Sequence, residues 1–231
     1  KYYYFYSNKH ILLNNLMPLN LLNIQHANTQ NALDSTGLDK VAKKLKLIGS
    51  NRFIIFHPSA QYQYKIYPKH LRDELLLDLC NSGFSVVVTG SMNKIDLEIK
   101  NELPSYKNLY DFIGEISLEE YFALSQLSLA YIGMDTLNMH IAAAQNKRVF
   151  AIFGPTNLKM WSPWCSNLKI SSITNMPLQT YGNITIFQAN MNCVACGRAG
   201  CDDSGVSKCL YNISPQLISD EFSNWYKNAV I

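Results

Sequence analysis

The chain has 231 residues, of which 48% are hydrophobic and 16% charged, with a formal net charge of +3 and a pI near 8.4. That length can bury one large core or two small ones, and that balance excludes a disordered chain. The charge is too mild to mark a nucleic-acid binder, and no uninterrupted apolar run is long enough to cross a bilayer. Contact with anionic lipid or with a phosphorylated substrate stays open.

Residues 1 to about 50 are the least legible. KYYYFY is aromatic-rich, and HILLNNLMPLNLLNI carries clustered Leu and Ile interrupted by Pro18. They read as a strand and a helix of a neighbouring domain, followed by a linker. A membrane-surface or partner-binding segment is the alternative, but a basic amphipathic face is lacking. The chain starts at Lys1 without a secretory pattern, which reads as a fragment or a chain missing its N-terminal part. Asp39 to Leu47 has helical spacing, with Val41, Leu45 and Leu47 inward and the lysines solvated. A domain boundary is expected near residue 50.

From there strands and helices alternate. Phe53 to Phe56 is a compact apolar strand ending in the turn His57-Pro58-Ser59-Ala60, and open α/β sheets bind ligands just beyond such carboxyl ends. Lys65 follows in that loop, before a helix over Pro68 to Cys80. Phe84 to Val88 is the next buried strand, ending at Thr89-Gly90, with a helix from Asn93 to Glu102. Leu109 to Phe112 is a short strand, and Ser117 opens a helix with Glu119 and Glu120 in its first turn.

Leu129 to Ile132 leads into GMDTLNMHIAAAQNKRVFAIFGPT. Asp135 and Thr136 stand where a helix N-cap belongs, and Asn138, His140 and Ala142 to Ala144 begin a helix that can lie close to a sheet. A helix N-terminus presents unpaired amides and partial positive charge, which suits a phosphate. Val149 to Phe153 is the following strand, and Gly154-Pro155-Thr156 turns the chain away. The alternation implies an α/β class with a parallel, Rossmann-like sheet flanked by helices.

Downstream, Cys193, Cys196, Cys201 and Cys209 are spaced C-x2-C-x4-C-x7-C. Structural zinc, reduced thiols and a disulfide are all compatible with that spacing. Cys80 and Cys165 read as buried thiols, and no cysteine has a basic partner in sequence that marks a nucleophile. Ser214 and Pro215 open the last helix, with Leu217, Ile218, Phe222 and Trp225 near one face.

DTLNMHIAAA followed by FGPT and WSPW, with KIYP upstream, resembles the donor-site signature of bacterial glycosyltransferase family 9, the lipopolysaccharide heptosyltransferases. The resemblance implies that residues 51–231 are the donor-binding half of a GT-B glycosyltransferase, with the cysteine segment 193–209. Residues 1–50 would then be a remnant of an acceptor domain plus linker. It implies an inverting enzyme that takes a nucleotide-diphosphate sugar, ADP-heptose, and needs no metal for catalysis. The acceptor would be the lipopolysaccharide inner core, reached in the cytoplasm or peripherally at the inner membrane of a Gram-negative bacterium. The other partner would be the chain's own N-terminal domain, which would supply the general base.

By the same resemblance, Lys65, Asp135, Thr136, Leu137, His140, Ser59 and Ala60 bind the donor phosphates. Thr89, Gly90, Gly154, Pro155 and Thr156 form the nucleoside-side loops. Four positions depart from the family pattern: Ser59 and Leu137 stand for Gly, Tyr67 stands for Trp, and Lys94 stands where an acidic residue is usual. A leucine at 137 serves if only its amide is needed, and not if the position requires φ > 0. The alternatives are a non-catalytic, zinc-stabilised interaction module and a sugar-nucleotide epimerase, although no carboxylate pair supports the latter.

Overall fold

The computed structural model describes residues 2–25, 38–48 and 52–229. The boundary expected near residue 50 lies outside the described residues. Helices α1 (Ile11–Leu21) and α2 (Leu38–Ile48) come first. Then β1 (Phe53–His57), α3 (Lys69–Asn81), β2 (Ser85–Gly90), α4 (Lys94–Asn101) and β3 (Leu109–Ile113) alternate. They are followed by α5 (Leu118–Leu127), β4 (Ala130–Met134), α6 (Leu137–Ala144), β5 (Arg148–Phe153) and the short α7 (Leu158–Trp161). The chain closes with β6 (Leu178–Tyr181), β7 (Ile184–Gln188) and α8 (Pro215–Ala229).

The strands form one seven-stranded sheet in the order β3-β2-β1-β4-β5-β7-β6, parallel except for β6. Its central strands are buried along their whole length, as in Phe53 to Phe56 and Val149 to Phe153, because helices cover both faces. Ile54, Phe56, Val86, Val88 and Phe150 face a layer with Leu75, Leu79 and Phe222, contributed by α3 and α8. Ile55, Val87, Tyr131 and Ala151 face Val41, Leu124, Met139 and Ala142, contributed by α2, α5 and α6. On α8 the Ser214 hydroxyl accepts from the Leu217 amide, and Phe222 meets Phe84 edge-on at 5.0 Å.

Three expectations need correction. The aromatic run is not a strand: Tyr2 to Tyr6 are irregular and exposed. Nor does this segment hang free. The Asn14 carboxamide bonds both the amide and the carbonyl of Tyr6, and His10 accepts from Leu12 N–H at Nδ1 while Nε2 donates to the Ser162 carbonyl at 2.7 Å. Leu47 points outward, since Ile48, seven residues after Val41, completes the helical repeat on the inner face. Leu217 is likewise exposed, leaving Ile218 and Phe222 as the buried pair of α8.

Candidate functional site

The strand order reverses between β1 and β4, which pair in parallel although some seventy residues apart, with His57 beside Gly133. Such a reversal opens a crevice at the carboxyl ends of the strands. Gly133 permits the approach: a Cβ there would lie 2.4 Å from the His57 carbonyl oxygen. A cavity of about 400 Å³ occupies the crevice, and its walls include His57, Lys65, Asp96, Ser117, Asp135 and Leu137.

Two loops bring opposite charges together across it. Lys65 ends the turn Gln63–Lys65 after β1, and Asp135 follows β4. Lys65 Nζ lies 2.9 Å from Asp135 Oδ2, with the two side chains 22% and 8% exposed. Thr136 holds the N-cap position of α6, as expected, but its hydroxyl makes no capping bond; it meets the Tyr131 hydroxyl at 3.3 Å instead. Among the described residues no side chain caps the start of α6, so an anion can accept from its first amides. Leu137 does not take a positive φ and is the first residue of the helix, so a side chain is tolerated there.

The floor is buried and polar. His57 Nδ1 lies 3.0 Å from Thr89 Oγ1 and also 3.0 Å from Asn138 Nδ2, while Nε2 faces Ser59 Oγ at 3.3 Å. Burial pushes the His57 pKa down to about 4, against the opposing pull of the Asp96 charge and its hydrogen bond at Thr89. Ser59, Ala60, Thr89 and Gly90 line the cavity as expected.

Asp96, which with Glu98 lies near the position that the resemblance marks as acidic, was given no role from the sequence. Lys94, expected from the resemblance at an acidic position, points outward, 89% exposed and 3.8 Å from Glu98. Two residues on, still in the first turn, Asp96 is 3% exposed and lines the cavity. Its Oδ2 accepts from the Ser91 amide and hydroxyl, both at 2.6 Å, and from Asn93 Nδ2 at 2.8 Å. Its Oδ1 makes no hydrogen bond among the described residues. The signal in the sequence was Asn93-x-x-Asp96, a spacing that announces a helix start without showing that the acid turns inward.

Other expected residues are placed elsewhere. His140 is half-buried on α6 and is not part of the cavity wall. Burial lowers its pKa, the Asp135 charge opposes that, and His10 adds to the lowering. Gly154, Pro155 and Thr156 are buried and do not line the cavity. The Gly154 and Thr156 carbonyls accept from Gln188 Nε2, and the Pro155 carbonyl accepts from the Gly197 amide at 2.8 Å. They support the cysteine-bearing segment.

In that segment Cys193 and Cys196 are exposed, Cys201 is half-buried and Cys209 is buried, and all are free thiols. Burial first, then the neighbouring Cys201 and Cys196, push the Cys209 thiol up to about 11. Among the described residues no group of three or more His, Cys, Asp or Glu side chains is placed to hold a metal ion. The four thiols are thus not gathered into one such group in this arrangement, although Cys209 feels both Cys201 and Cys196.

Residues 10–188 match the family described as Glycosyltransferase family 9 (heptosyltransferase). A curated relative, lipopolysaccharide heptosyltransferase 3 of Escherichia coli K12, is 26% identical over 165 residues, 69% of this chain and 48% of its own length. Among solved structures, a glycosyl transferase family 9 protein of Veillonella parvula superposes with a TM-score of 0.76 at 14% identity, covering 97% of this chain and 62% of that one. The E. coli heptosyltransferase WaaC with ADP superposes with a TM-score of 0.62 at 14% identity, covering 97% and 59%. The fold is thus shared with these proteins, and the chain spans about half the length of the curated relatives it matches.

Proposed function

The chain belongs to glycosyltransferase family 9, and from that premise we propose that it binds ADP-heptose and serves sugar transfer, with inversion, to the lipopolysaccharide inner core. The observation that carries the reading is the Lys65–Asp135 pair set beside the uncapped start of α6 in the crevice between β1 and β4. In this reading the diphosphate lies over the α6 amides and draws the Lys65 ammonium to itself. As the bond from the anomeric carbon to the diphosphate oxygen breaks, negative charge grows on the leaving phosphate. The ammonium and the fixed amides stabilise that charge without needing to reorganise. Asp96 Oδ1, buried and unpaired, would accept from a ribose hydroxyl. Asp135 stays as the counter-charge that positions Lys65 between donors.

Residues 51–231 form the donor-binding part in this proposal, and the base that takes the acceptor's proton comes from an acceptor domain. The acceptor oxygen attacks the sugar from the face opposite the diphosphate, which inverts the anomeric centre. No helix among the described residues is long and apolar enough to cross a membrane; in this proposal the lipid-linked acceptor is met peripherally, at the cytoplasmic face of the inner membrane. Calorimetric titration of the chain with ADP, UDP and GDP tests the reading. Preferential binding of ADP supports it, preference for UDP or GDP changes the donor, and no nucleotide binding overturns it.

A further inference from the structure

The wall of the donor crevice includes three rings, those of His57, Tyr62 and Tyr121. His57 and Tyr121 are sunk in the interior, 8% and 3% exposed, whereas Tyr62 is 48% exposed. Tyr62 is also held in place. Its ring lies nearly parallel to that of Tyr64, with 14° between the planes and 5.4 Å between the centroids. That offset stack backs one face of Tyr62, and the other face meets no ring among the described residues. The Tyr62 carbonyl accepts from the Lys65 amide at 3.0 Å, so one turn carries both the aromatic ring and the ammonium.

The order of the loops decides which part of a nucleotide sugar this ring can meet. Strand β1 lies between β2 and β4, so the loop that bears Tyr62 and Lys65 stands between Asp96, after β2, and the start of α6, after β4. With the diphosphate on Lys65 and the α6 amides and the ribose at Asp96, the base continues toward Ile116 and Leu118, which follow β3 on the far side of β2. Those side chains give the base an apolar wall of its own. The sugar hangs from the opposite end of the diphosphate, beside the turn that carries Lys65, and there the exposed ring is Tyr62. A pyranose suits such a ring: its C–H bonds present a slightly positive face to the negative face of an aromatic, while its hydroxyls stay at the rim in water.

We propose that Tyr62, backed by Tyr64, is the platform for the donor's sugar ring and so determines specificity for the sugar separately from the nucleotide. The proposal depends on the donor reading, and its test tells the two apart. Calorimetry compares ADP with ADP-heptose on the parent chain, Tyr62→Ala and Tyr62→Phe, with urea unfolding to check each fold. Tyr62→Ala is expected to weaken ADP-heptose about tenfold and to hold ADP within about twofold. Tyr62→Phe keeps the ring face and is expected to bind both ligands as the parent does. If the parent binds no nucleotide, the donor reading falls and the platform with it. If ADP binds the parent and Tyr62→Ala takes ADP-heptose as tightly as the parent, the platform alone is overturned. Equal weakening of both ligands in Tyr62→Ala overturns it too, since the ring then meets the nucleotide, and so does a loss in Tyr62→Phe that matches the loss in Tyr62→Ala.

Discussion

Replacing Lys65 with alanine removes the only cation in direct contact with Asp135 among the described ion pairs. Two costs follow for a bound diphosphate. The phosphate loses a charge-assisted hydrogen bond, worth roughly 2 kcal/mol. It also meets an Asp135 carboxylate that is 8% exposed and no longer neutralised, which adds repulsion at the place where negative charge must sit. Together they predict ADP affinity lowered at least about thirtyfold in Lys65→Ala. Asp135→Asn takes away the repulsion, so Lys65→Ala/Asp135→Asn is expected to bind ADP more tightly than Lys65→Ala alone, by about 1 kcal/mol of coupling. Calorimetry on the four proteins reads the full cycle, and urea unfolding of each checks that the fold is intact. If Lys65→Ala binds ADP within about twofold of the parent chain, the diphosphate does not lie where the crevice geometry puts it. If the double variant gains nothing over the single one, Asp135 is not the counter-charge of Lys65.

Gly133→Ala should cost about 3 kcal/mol, because its Cβ would meet backbone at 2.4 Å, the His57 carbonyl oxygen, which cannot swing aside; an unfolding midpoint in urea unchanged from the parent would refute the close approach of β1 and β4. His57 carries a pH dependence of known sign: its folded pKa, about 4, lies below the ordinary 6.5, so its contribution is complete above pH 6.5 and is lost as pH falls toward 4. The loss reaches about 3 kcal/mol, His10 and His140 add in the same direction, and His57→Gln should flatten the curve of unfolding free energy against pH. Among the thiols, Cys193 and Cys196 should react with a disulfide reagent in the native chain, and Cys80, Cys165 and Cys209 only after unfolding. Protection of Cys193 by one equivalent of zinc would instead restore the metal site that the spacing allowed.

The parts of the fold that sequence reasoning reached are those governed by short-range rules. Runs such as FIIF and VFAIF can hardly be anything but buried strands of a parallel sheet, and Ser117 with Glu120 forms the reciprocal cap that its spacing announces. Lys65 and Asp135 were found from local motifs, yet their meeting was not legible locally. It depends on β1 lying next to β4, a pairing between segments some seventy residues apart. Asp96 was missed for a related reason: whether a first-turn acid faces water or a cavity depends on how α4 is rotated on the sheet, and an eight-residue helix with one dominant cap says little about that. The packing of Gly154 to Thr156 was not legible, because a Gly-Pro turn after a strand looks alike whether it borders a cavity or, as here, lies against Leu210 and Gln188.

His10 holds a last consequence, a mechanical one. Both of its ring nitrogens are spent, one on the first turn of α1 and the other on Ser162, whose own hydroxyl accepts from the buried Ser172 amide. The beginning of the chain is thereby riveted to the stretch that follows β5, at a point 152 residues away. A rivet of this kind determines which pieces ride together. Any shift of the stretch that follows β5 would pull on the start of α1 through this bond.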